Sequence, residues 1–151
     1  MSTLKEKIFT DLKEAMKSGD TEKRDVLRMV DSMIKNTEIE KGKREEGLSD
    51  EEVVEILSRA VKQRQDSVTQ YEKGGRSDLA KKELSEIEIL KNYLPEQLDE
   101  DELKKIAKKI LDENNLNDSA DFGRAMGLVM AEVKGRADGN LVRQVVAEIL
   151  K

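Results

Sequence analysis

Apolar residues recur every three or four positions along nearly the whole chain, and that spacing suits helices and excludes most alternatives. Leu4, Ile8, Leu12, Ala15 and Met16 form the first stripe, which ends at Gly19. Asp20 or Thr21 is placed to cap a second helix with Val26, Leu27, Val30, Met33 and Ile34 on its inner face. The pattern fades over Lys41-Gly42-Lys43-Arg44-Glu45-Glu46-Gly47, which predicts a mobile charged loop. Ser49 and Glu52 carry a capping-box signature. Val53, Ile56 or Leu57, Ala60, Val61, Arg64, Val68 and Tyr71 follow on one stripe. That helix should run to about Lys73, roughly 37 Å at about 1.5 Å per residue. Gly74-Gly75 breaks it, and Ser77 is placed to cap the next, with Leu79, Ala80, Leu84, Ile87, Leu90 and Leu94 facing inward. Pro95 closes this half, because the residue before a proline is pushed away from helix.

Asp99 and Glu102 form a second capping box, opening a helix through Leu103, Ile106, Ala107, Ile110 and Leu111 that stops at Asn114-Asn115. Ser119 or Asp118 caps a helix carrying Phe122, Met126, Val129, Met130 and Val133. Gly127 removes bulk from that helix, which suits close packing by a neighbouring helix. Asp138 caps the last, with Leu141, Val142, Val145, Val146, Ile149 and Leu150. The expectation is all-α, with seven helices and no strand. Residues 1–95 should form an N-terminal bundle of long helices, and residues 96–151 a small three-helix C-terminal domain.

Composition narrows the chemistry. Of 151 residues, 40% are charged and 3% aromatic, so the core must come from Leu, Ile, Val and Met. The net charge is −5, split as −2 before Pro95 and −3 after it. Contact with RNA would therefore depend on local cations rather than bulk charge. Histidine and cysteine are absent, which removes disulfides, thiolate metal sites, the commonest general base and the cysteine nucleophile. Carboxylates lie mostly three or four positions from lysines, as solvated pairs do. No P-loop, G-x-G-x-x-G or G-x-S-x-G motif is present. The sequence thus offers no catalytic residues, no metal ligands and no cofactor site. It has no apolar run long enough to span a membrane. The first residues carry Glu6, Asp11 and Glu14, unlike a transit peptide, and a soluble cytoplasmic protein is expected.

Two clusters remain. Between the last two helices, Gly135 is placed to end one helix in a left-handed conformation, and Asp138 to cap the next. Lys134, Arg136 and Arg143 surround that junction, and the helix start at Asp138 and Gly139 offers backbone N–H groups to an anion. The second cluster is Arg59, Lys62 and Arg64 on the long third helix, a candidate docking face. Arg64 falls near the apolar stripe, where a carboxylate partner within the chain is the leading reading and a phosphate the other. Tyr71 and Tyr93 are read as packing residues.

In order, several segments resemble the YqeY family, whose fold also forms the C-terminal tail of the amidotransferase subunit GatB. They are Val26-Leu27-Arg28-Met29-Val30, Val61-Lys62-Gln63-Arg64-x-Asp66-Ser67 and Gly75-Arg76-x-Asp78-Leu79-Ala80. Ile89-Leu90-x-x-Tyr93-Leu94-Pro95-x-Gln97-Leu98, Met126-Gly127-x-Val129-Met130 and Lys134-Gly135-Arg136-Ala137-Asp138-Gly139 complete the set. The resemblance implies an all-helical protein with a link to tRNA, through a module that contacts the tRNA body. It implies an amidotransferase or an aminoacyl-tRNA synthetase as partner. It also brings an expectation of carbon–nitrogen ligase activity with glutamine as amido-N-donor. The residues argue against that last extension, since they supply neither an activated nucleophile nor a nucleotide site. A non-catalytic tRNA-binding module is the leading expectation, with ligase and helical adaptor as alternatives.

Overall fold

The computed structural model describes residues 2–151. Its described residues form seven α-helices and no strand: α1 (Thr3–Ser18), α2 (Thr21–Glu40), α3 (Asp50–Lys73), α4 (Ser77–Lys91), α5 (Glu100–Glu113), α6 (Phe122–Val133) and α7 (Gly139–Ile149). A single 3-10 turn, Ser119–Asp121, leads into α6. The all-α expectation is the fold observed. None of these helices is long and apolar enough to cross a membrane. The chain divides into two units, Met1–Leu94 and Pro95–Lys151.

Local chemistry sets most helix ends. Asp20 caps α2 by accepting from the Lys23 N–H. Both predicted capping boxes form, Ser49 with Glu52 and Asp99 with Glu102. At the other end, α1, α3 and α5 close in Schellman motifs with Gly19, Gly75 and Asn115 at positive φ. In α5 the Leu116 N–H reaches the Leu111 carbonyl at 2.9 Å, and Leu116 is buried beneath the turn. The α3 turn explains one departure. The Arg76 N–H bonds back to the Tyr71 carbonyl, so the chain enters α4 one residue early. Ser77 is then the first helical residue rather than the cap, and Arg76 precedes it without a side-chain cap bond.

In the first unit, Ile8, Leu27, Ile34, Leu57 and Leu90 are fully buried, with Leu48 sealing the core from the loop before α3. Met16 and Leu84, expected to face inward, are 53% and 46% exposed. Met16 lies off the narrow arc set by Ile8, Leu12 and Ala15. Leu84 is displaced because α4 turns Ala80, Ile87 and Leu90 inward together with the carboxylate of Glu86. In the second unit, Leu103, Ala107, Leu111, Val129, Val133, Val142 and Val146 form a core that also takes Ala125. Met126 and Met130 pack at its edge. Gly127 faces outward, where an added Cβ would meet nothing within 4 Å. The packing role read for it is therefore corrected: no neighbouring helix lies against that face of this unit.

Candidate functional site

The α6–α7 junction is a type II turn. Val133 ends α6, Lys134 follows at φ −52° and ψ 126°, and Gly135 sits at φ +77°. The Arg136 N–H donates to the Val133 carbonyl at 2.8 Å. The second central residue of such a turn needs a positive φ, which glycine adopts without strain. Gly135 is left-handed as expected, but in the turn beyond the helix rather than as its cap. Two donors from the segment before α5 hold this turn. The Leu98 N–H reaches the Arg136 carbonyl at 2.8 Å, and Gln97 Nε2 reaches the Gly135 carbonyl at 2.9 Å.

Asp138 then opens α7. Its carboxylate accepts from the Asn140 N–H at 3.3 Å, and its carbonyl takes the first helical bond, from Val142. The helix start thus already holds a carboxylate, and an incoming anion must share that field with it. Gly139 follows, with Met130 Cε in ordinary contact range of any Cβ placed there. Lys134 and Arg143 are exposed and Arg136 is half-buried. Arg143 stands four residues past Gly139, on the same helix face. Among the described residues, Arg136 and Arg143 make no ion pair. A guanidinium with no internal carboxylate keeps its donors for an outside oxyanion.

The second predicted cluster divides. Arg59 and Lys62 are exposed on α3. Arg64 turns inward, where its Nε bonds Glu86 at 3.0 Å and its other nitrogens reach the Ala60 carbonyl and the Met29 sulfur. Its guanidinium is committed to joining α2, α3 and α4. Tyr93 is buried and its hydroxyl donates to Asp11 at 2.6 Å, which is a packing and bridging role.

Sequence reasoning missed a polar constellation at the start of α1 and α3. Ser2 caps α1 by accepting from the Lys5 N–H, and Asp50 of α3 adds to that cap, accepting from the Ser2 and Thr3 hydroxyls and the Leu4 N–H. These bonds, the Ser2 hydroxyl first, hold the Asp50 carboxyl below its ordinary range. Next to it, Glu52 accepts from Lys41 at 2.8 Å, from the Ser49 N–H and from Lys43 at 3.0 Å. Those donors bring its pKa down to about 2. An open cleft of about 400 Å³ lies here, between Thr3, Lys43, Glu46 and Ser49. Lys5 pairs at 2.7 Å with Glu38, which is buried. The charged loop folds back here, with Lys41 and Lys43 reaching Glu52 and Leu48 entering the core. The capping box was a visible signal for Glu52, but the lysine pairs depend on how the loop folds back. Among the described residues, no group of three or more acidic side chains is placed to hold a metal ion.

The family profile of the Yqey-like proteins matches residues 5–150. The chain belongs to the YqeY family. Relatives of this YqeY chain include proteins named "Altered inheritance of mitochondria protein 41, mitochondrial". The one from Clavispora lusitaniae is 38% identical over 112 residues, which is 72% of this chain and 63% of that protein. The one from Lachancea thermotolerans is 42% identical over 85 residues, 56% of this chain and 44% of that protein. The one from Saccharomyces cerevisiae strain YJM789 is 37% identical over 108 residues, 68% and 55% respectively. The chain spans about half the length of the curated relatives it matches. These names correct the cytoplasmic expectation, since the relatives are mitochondrial proteins by name. The signals behind that expectation were missing cysteines, a missing apolar run and acidic residues in what is helix α1. They report redox chemistry, membrane crossing and folding, and none separates one aqueous compartment from another.

Proposed function

We propose that this YqeY chain is a non-catalytic module that binds tRNA by shape, serving an amidotransferase or an aminoacyl-tRNA synthetase. Lys134, Arg136 and Arg143 contact phosphates, Asp138 sets the helix start, and Gly139 keeps it open. The observation that carries this reading is the braced turn. It presents Arg136 beside a helix whose Arg143, like Arg136, has no carboxylate partner among the described residues. A duplex backbone is recognised through such fixed cations, without the aromatic platforms that single strands require. A second reading, a docking face for a protein, rests on Arg59 and Lys62, exposed one turn apart on α3.

Binding of unfractionated tRNA by the purified chain at low salt tests the first reading. Arg136→Glu with Arg143→Glu should weaken it more than tenfold, since two phosphate contacts become repulsions. Absence of binding by the unaltered chain overturns the reading. Ammonia release from glutamine by the chain alone would favour the ligase alternative. Capture of a synthetase or amidotransferase lost on changing Arg59 and Lys62, with RNA binding absent, would favour the docking face.

A further inference from the structure

The Pro95-x-Gln97-Leu98 segment has no part in the phosphate contacts proposed above, yet it bonds directly to the turn that presents them. Gln97 Nε2 donates to the Pro95 carbonyl at 2.8 Å and to the Gly135 carbonyl at 2.9 Å. A primary amide has two hydrogens, so both are used. The Leu98 N–H takes the next carbonyl, that of Arg136. Two successive carbonyls of the turn are therefore fixed. Fixing them fixes the peptide plane between Gly135 and Arg136, and with it the direction in which the Arg136 side chain leaves the backbone. Any residue at position 98 except proline would supply the second bond. The first depends on the side chain at 97, which must be long enough to bridge and must carry a donor. Asn is one methylene shorter, and Met has the length without the donor.

We infer that Gln97 is a positioning residue for the Lys134–Arg136 turn, acting on the bound anion through the backbone rather than by touching it. This rests on the RNA-binding reading. Gln97 is exposed, so loss of its side-chain amide hands the Pro95 and Gly135 carbonyls to water and leaves the core intact.

The test compares the full chain with Gln97→Met and Gln97→Ala. Amide hydrogen exchange at Arg136 and Leu98 should be several-fold faster in both variants, while the Ala107 and Leu111 amides in the interior of α5 keep their rates. Affinity for unfractionated tRNA at fixed low salt should fall about three- to tenfold, the worth of one hydrogen bond. The salt slope should stay unchanged, because every cation is retained. Unchanged exchange at Arg136 and Leu98 overturns the inference whatever the RNA result. So does faster exchange with unaltered affinity. Faster exchange at Ala107 and Leu111 as well would reduce Gln97 to a general structural residue and overturn it too. If the unaltered chain binds no tRNA, the RNA reading itself fails, and the inference falls with it.

Discussion

Tyr93 shows how a side chain read for packing takes on a polar task. Its ring is buried, its hydroxyl donates to Asp11, and the Lys7 ammonium lies 5.5 Å from the ring centre. Burial pushes the phenol above its ordinary range, and the Asp11 carboxylate adds to it. Tyr93→Phe keeps the packing and removes the bond, so chemical denaturation should show a loss of about 1–2 kcal/mol. An unchanged midpoint would mean the bond contributes nothing. Gly127 makes the opposite case. Its Cβ position is open, and the usual cost of glycine within a helix is uncompensated there. Gly127→Ala should therefore stabilise the protein by about 1 kcal/mol. Destabilisation would contradict the open face.

Among the elements, the loop between α2 and α3 differs most from its sequence. Seven charged or glycine residues in a row read as a solvated, mobile stretch. In the structure Lys41 and Lys43 converge on Glu52, the same residue that completes the capping box of α3. Glu52 has a folded pKa of about 2, below the ordinary carboxylate value of about 4.3. The sign follows from that order. The contribution of Glu52 is complete above the ordinary value and is lost as pH falls from there toward 2. Asp50, whose pKa is also lowered, adds to the loss in the same direction. Thermal melts between pH 5 and about pH 2 should fall less steeply for Glu52→Gln than for the unaltered chain. Equal slopes would remove Glu52 from the acid response.

Periodicity and caps made the helices legible, because both are local: Asp99 and Glu102 sit three residues apart and bond as the sequence says. Arg64 was legible too, since an arginine on an apolar stripe calls for a partner, though nothing local pointed to Glu86 across 22 residues. The Asp50 bond to Leu4 and the Gln97 bond to Gly135 span 46 and 38 residues. Such contacts depend on how distant helices pack, and no spacing rule reaches them. The outward turn of Leu84 has the same origin, in the pairing of α4 with Arg64.

For the whole molecule, family membership and the all-helical fold constrain function less than charge does. A chain with a net charge of −5 binds a polyanion only through local cations. The proposed interface holds three of them, Lys134 and Arg136 on a turn braced from Gln97 and Leu98, and Arg143 on the helix that follows. The most direct test is the affinity for unfractionated tRNA measured across a salt series. Three phosphate contacts predict a log–log slope of about −2 to −3, at roughly 0.7–0.9 per phosphate. Changing Lys134, Arg136 or Arg143 singly to Gln should each make that slope shallower by just under one. A slope left unchanged by all three substitutions, or no binding at low salt, would contradict the account.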